Sequence, residues 1–310
     1  MTAAPIDRRP EEGRGGSIYD LGYRGYEGPR LGRRAAIWAL LAHSVRTAYG
    51  LGRSVRSKVL PIGLAVLAVL PSLLALGILM LISLLGPPGE AIEAISPIKY
   101  STLFPMIAPL IFLFCAAQAP ELFGRDQQLG VLPLYFTRAI GRIDYAAARF
   151  LGLYASLMVL SLAPYILLLV GRIFVASDVV DGITGELPSL PAIIAVGLVT
   201  PLLVGSISSA VASLTPRRAY ATVAIIAVFL IPNIAAGMLV TFETGLVGQV
   251  ATLLSPADVL DGVNAFLFDV PAEGTVAEAG LDLWIYLVAA AAWIIGSLAV
   301  LAARYRRMAL

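Results

Sequence analysis

Six long runs of almost purely apolar residues alternate with polar segments along the chain. They cover about residues 60–85, 101–119, 151–170, 192–214, 219–240 and 283–303. A hydrocarbon core about 30 Å thick takes about 20 such residues as one helix. No Asp, Glu, Lys or Arg falls inside any of the six runs. A charge at mid-bilayer costs about 2.5–3.5 kcal/mol, so this absence fits lipid burial. The prolines inside the runs (Pro71, Pro105, Pro109, Pro164, Pro201 and Pro232) are tolerated in membrane helices, because neighbouring groups satisfy the carbonyls that proline leaves free. The pattern predicts an all-α integral membrane protein: a six-helix transmembrane domain over 59–305, entered through a distinct segment at 31–58.

Composition narrows the class. The 310 residues are 59% hydrophobic and only 14% charged, with a mean hydropathy of +0.87. A soluble domain carries about 25% charged residues. Too little polar surface remains for a soluble enzyme, a disordered chain or a secreted disulfide scaffold. The lone Cys115 forms no internal disulfide, and the lone His43 argues against a histidine-based metal site. The high Ala, Arg and Gly content fits a GC-rich bacterial source.

Charge orients the chain. Of the 22 Lys and Arg, only Lys99 and Arg172 fall in the odd-numbered connections; the rest lie before the first run, in the even-numbered connections or in the tail. The positive-inside rule then predicts both termini in the cytoplasm of a cell inner (plasma) membrane. A charged stretch of more than 50 residues precedes the first apolar run, which is unlike a cleavable signal peptide. Residues 1–18, and 1–30 more broadly, are expected to be largely disordered.

Between 31 and 58, Ile37, Trp38, Leu40, Leu41, Val45 and Tyr49 recur at helical spacing, interleaved with Arg33, Arg34, Arg46, Arg53 and Arg56. This is the pattern of an amphipathic elbow in the headgroup plane, its Arg facing anionic lipid. Ordinary juxtamembrane charge that only fixes topology is the other reading. Gly50 and Gly52 are candidate helix breakers. The segment 19–28, with three tyrosines among glycines and charges, reads either as a contact for a cytosolic partner or as a tether.

Residues 121–142 (ELFGRDQQLGVLPLYFTRAIGR), within a cytosolic loop at 121–148, are the most informative stretch. Charges (Glu121, Arg125, Asp126) precede Gly130, then come Leu132, Leu134, Tyr135 and Phe136, then Arg138 and Arg142. A short apolar element with polar flanks needs a cover, from a docked protein or from its own helices and lipid.

The six-run layout, the basic elbow and this loop resemble the permease subunit of ABC-2 type transporters over about residues 30–305. In that family the loop forms a coupling helix that rests on a separate ATPase subunit. Its pattern runs as an acid, then Gly-Thr-Leu, an apolar stretch, Pro, Arg, and a Gly-Lys entering the third span. Asp126, Gly130, Leu132, Leu134, Phe136 and Arg142 match it, and Arg149 stands in for the Lys. Val131 replaces the Thr, and Ala139 falls where the Pro is expected. The resemblance implies coupling through Glu121, Arg125, Asp126, Gly130, Leu132, Leu134, Phe136, Arg138 and Arg142. It also implies an ATP-binding-cassette ATPase as partner, with ATP and Mg²⁺ held there and no cofactor on this chain, and a second copy of the chain or a related permease.

Several absences bear on function. No G-x-x-x-x-G-K-[ST] phosphate loop is present, so the chain is not itself the ATPase. Apolar runs without carboxylates argue against an aspartyl protease and an ion-coupled relay. Nothing points to nucleic acid. Gly205, Ser209 and Ser213 form a small-residue stripe, read as internal packing or a dimer seam. Pro232-Asn233 lies inside the fifth run, where Asn233 needs a partner or lines a path. Residues 241–282 carry seven acids and no base, with two short apolar runs flanking Ser255-Pro256. They read as a re-entrant gate or as a solvated cap. The expected function is an exporter permease for a hydrophobic or amphiphilic cargo such as a drug, antibiotic or lipid. The alternative is a six-span scaffold that moves nothing and recruits a cytosolic partner.

Overall fold

The computed structural model describes residues 28, 31–85, 99–137, 140–176, 178–242 and 245–307. Among them every regular element is helical. In chain order these are α1 (Gly32–Ala48), α2 (Val55–Leu85), α3 (Tyr100–Gln128), α4 (Leu132–Phe136), α5 (Arg142–Val175) and α6 (Val179–Glu186). There follow α7 (Leu190–Leu214), α8 (Arg218–Phe242), α9 (Leu246–Leu254), α10 (Pro256–Leu267), α11 (Gly274–Ala279) and α12 (Leu283–Arg307). Six are long and apolar enough to cross a membrane: α2, α3, α5, α7 with α6 leading into it, α8 and α12. The segments 1–18 and 19–27, and Arg138, lie outside the described residues.

Helices α3 and α7 sit at the centre and α2, α8 and α12 at the periphery. Along α3, Leu103, Phe104, Ile107, Ile111, Phe114, Cys115 and Phe123 are all buried, packed between α2, α5, α7 and α8. The peripheral helices do the reverse. Val66 is 64% exposed, Met80 59%, Ile231 62% and Ile295 68%, an outward surface of large apolar side chains that suits lipid and not water.

Proline explains several inter-helix bonds. Pro105 has no N–H for the Ser101 carbonyl, and Pro120 has none for that of Ala116. The Asn264 amide of α10 donates to the Ser101 carbonyl at 2.9 Å, and the Thr222 hydroxyl of α8 donates to that of Ala116 at 2.9 Å. Each freed carbonyl thus tethers a neighbouring helix.

Two helices outrun their apolar sequences. The run at 101–119 becomes α3 to Gln128, and the run at 151–170 becomes α5 from Arg142. The extra turns are polar and survive because their charges find partners on other helices, as described below. The stripe Gly205, Ser209, Ser213 is buried, with Gly205 against Leu157 of α5.

Helix α1 stops at Ala48. Gly50 takes φ +66°, and a Cβ there would lie 2.6 Å from the Ser57 carbonyl oxygen, so the turn into α2 requires glycine. α1 lies along α5, where Gly152 lets Ser44 approach so closely that a Cβ would sit 2.4 Å from that of Ser44. Trp38 is 68% exposed, and Arg34, Arg46 and Arg56 are exposed as well.

Candidate functional site

The polar end of α3 is closed by Gly130 at φ +65°. The Val131 amide donates to the Asp126 carbonyl and the Gly130 amide to that of Gln127, the paired bonds of a glycine-terminated helix. This turn delivers the chain into α4, the short helix of the connection between α3 and α5.

Beneath α4 lies a buried polar hub. Asp126 accepts from the Tyr145 hydroxyl at 2.6 Å and forms an ion pair with the Arg149 guanidinium. Arg149 is 3% exposed, and it also donates to the Tyr145 hydroxyl and to Ser44 of α1, each at 3.2 Å. The Tyr145 ring meets Tyr135 and Phe136 of α4 and Tyr305 of α12, with centroids 5.4, 6.0 and 5.6 Å away. Gln127 reaches the Ser213 carbonyl at the end of α7. Nearby, Arg33 of α1 grips Asp144 through two bonds of 2.8 and 2.6 Å, and Asp144 also accepts from the Gly141 amide. Arg142 donates to the Arg306 carbonyl of α12. Through Tyr145, α4 rests on a set of contacts that spans α1, α3, α5 and α12.

The sequence-selected residues divide into two faces. Asp126 and Leu132 point inward, Leu132 at 9% exposure, and Phe136 packs on Tyr145. Leu134 points outward at 66%, as does Leu129, which the sequence had not singled out, at 62%. Glu121 faces sideways, ion-paired to Arg53, Arg125 and Arg218. Tyr145, Tyr305, Ser44 and Gln127 were not selected from the sequence, and Arg149 entered there only as the stand-in for the Lys of the family pattern. The one available signal was the spacing of Tyr145 and Arg149, which puts them on one helix face.

The second region is the pair α9 and α10, bent by 92° at Ser255. The break is local chemistry: the Ser255 hydroxyl accepts from the Asp258 amide as N-cap, and Pro256 takes the first helical position. α10 is buried against α12, α8 and α7. Asn233, in the middle of α8, donates to Asp258 at 3.0 Å. Asp258 is 2% exposed, and its second carboxylate oxygen has no partner among the described residues. A carboxylate is thus held against an apolar helix, which the charge-free runs had not led one to expect. Pro232, beside Asn233, lies inside α8 and has no N–H for the Val228 carbonyl.

At the bend, Leu253 and Leu254 close one side of an open-sided cavity of about 650 Å³. Ile207, Val211 and Leu214 of α7, Val228 of α8, and Ala289, Trp293, Gly296 and Val300 of α12 form the other walls. Trp293 donates its indole N–H to the Leu253 carbonyl at 3.2 Å, pinning the bend to α12. The cavity occupies the half of the bundle nearer its arginine-rich end, which carries Arg218 and Arg304. No group of His, Cys, Asp and Glu able to hold a metal occurs among the described residues.

No family model and no curated protein matches the chain. Any assignment of function therefore rests on the geometry.

Proposed function

We propose that the chain is the membrane-spanning permease subunit of an ATP-driven exporter. It acts as a dimer with itself or a relative, coupled through α4 to a separate ATP-binding-cassette ATPase on the cytoplasmic side of the plasma membrane. One observation carries the reading. A five-residue helix sits on a buried hub that ties it to α1, α3, α5 and α12, while Leu129 and Leu134 stay exposed on its outer side. An element that transmits motion needs a firm seat inside and a free contact outside.

The cargo is hydrophobic or amphiphilic. The walls of the cavity are apolar, and the α9–α10 bend closes its far side as a gate. Nucleotide-driven closure of the ATPases would push α4, shift α3 and α5 against α12, and part the wall that Trp293 now holds to Leu253.

The test is capture from native membranes in mild detergent with mass spectrometry. Wild-type chain should bring down an ATPase carrying a phosphate loop. Leu134→Asp, inserted to the same level, should not. Equal capture by both forms, or none by either with nucleotide present, overturns the assignment.

A further inference from the structure

Among the described residues, Glu121 is the only acid paired with Arg53, Arg125 and Arg218, one in the turn ahead of α2, one on α3 and one at the start of α8. Its carboxylate accepts from Arg53, ahead of α2, at 2.5 Å, from Arg125 one turn along α3 at 3.1 Å, and from Arg218, the first residue of α8, at 3.2 Å. Three guanidiniums around one carboxylate leave a surplus of two positive charges. Arg125 and Arg218 keep 48% and 60% of their side-chain surface exposed, so their remaining donors are free to bind. They flank a pocket of about 370 Å³ between the ends of α3 and α8, walled on its apolar side by Pro120, Leu129 and Pro216.

Depth identifies what belongs there. Glu121 follows the apolar run 101–119 after Pro120, Arg218 directly precedes the run 219–240, and Arg53 stands just ahead of α2. All three mark the level where hydrocarbon gives way to headgroups. Tyr220, 62% exposed with the Arg217 guanidinium 5.6 Å from its ring centre, is the kind of aromatic that sits at that level. We propose that this pocket binds the phosphate of an anionic phospholipid headgroup, with Arg125 and Arg218 as the clamping groups. Guanidinium forks match phosphate oxygens geometrically, and basic pockets between membrane helices take anionic headgroups. The bound lipid would bridge α3 and α8 at the edge of the coupling segment. The inference needs only that the helices cross a membrane, and stands apart from the transport reading.

Native mass spectrometry of the delipidated full chain tests it, with phosphatidylglycerol, phosphatidylcholine and inorganic phosphate as probes. Phosphatidylglycerol should give a retained one-lipid adduct and raise the melting temperature. Phosphatidylcholine should not, and inorganic phosphate should not compete at equal concentration. Arg125→Gln/Arg218→Gln should weaken the adduct about 30-fold, each basic group at a membrane surface contributing about fivefold. Arg34→Gln/Arg46→Gln, on exposed positions of α1, should leave it intact. Glu121→Gln keeps all three arginines and removes their internal competitor, so it should tighten binding even if the double variant fails to fold. Equal binding of the two phospholipids, full competition by phosphate, equal loss in both double variants, or weaker binding by Glu121→Gln each overturns the proposal.

Discussion

Arg149 and Asp126 form an ion pair in which the guanidinium keeps only 4% of its side-chain surface and the carboxylate 14%. The pair joins the end of α3 to the first turns of α5 directly under α4. Two charges withdrawn from solvent are tolerable only together. Removing one leaves the other buried without compensation, at about 3–5 kcal/mol, whereas replacing both with apolar groups is often neutral. Arg149→Met and Asp126→Leu should each lower the melting temperature of the purified protein sharply, and the double variant should recover most of the loss. Additive losses in the double variant would mean that the two residues act separately.

His43 reports on the same hub. It lies on α1, its ring 3.4 Å from the Thr47 hydroxyl, one residue from the Ser44 that Arg149 grips. Burial first and the Arg149 charge second hold its pKa below the ordinary 6.5. The protonated ring is therefore disfavoured in the folded state. Its contribution to stability is complete above pH 6.5 and fades as pH falls through the lowered value. Because it is the only histidine, isotope-labelled His gives one imidazole signal. Its NMR midpoint should fall below 6.5 and rise toward it in Arg149→Met. A midpoint that ignores Arg149 would contradict the hub geometry.

Much of this architecture was readable in the sequence. The six apolar runs correspond to six helices because lipid burial demands apolar residues all round. The division of the 121–142 segment was not readable. Alternation there could not say that Leu132 faces in and Leu134 out, since a five-residue helix is placed by what lies beneath it, and Tyr145 comes from the next helix. The extension of α3 to Gln128 was hidden for a similar reason. Its polar turns persist through Arg53, Arg218, Arg149 and Gln127 contacts that no local rule predicts. Ser255-Pro256 did show in advance, because a serine cap before proline is local chemistry. That Asp258 would meet Asn233 did not.

Among the described residues, Asn233 supplies the one side-chain donor to Asp258 from another helix. Asn233→Ala leaves that carboxylate oxygen unpartnered in an apolar setting, and should destabilise the protein by about 1–3 kcal/mol. Asp258→Asn removes the buried charge while keeping the shape, and should be neutral or stabilising. Adding Asp258→Asn to Asn233→Ala should therefore restore part of the lost melting temperature. If Asp258→Asn were itself the damaging change, the carboxylate would have a charged role that this packing does not reveal.

Gly262 sets the distance between α10 and α12. A Cβ there would lie 2.3 Å from Tyr286 Cγ and 2.7 Å from both Cδ atoms. The Tyr286 ring is fully buried and its hydroxyl is 3.3 Å from that of Thr252 on α9, so it is held from both ends of the bent pair. A ring so fixed cannot swing aside like the tip of an aliphatic chain; the helices themselves must part. Overpacking of this kind costs about 1–3 kcal/mol. Gly262→Ala should lower the melting temperature, and Gly262→Ala/Tyr286→Leu should regain part of it by making room on the α12 side. Since the same contact holds the α9–α10 bend against the cavity wall, Gly262→Ala should also quicken labelling of a Leu254→Cys reporter in a Cys115→Ala background by a membrane-permeant thiol reagent. Unchanged labelling with a lowered melting temperature would separate the packing of α10 from the closure of the cavity.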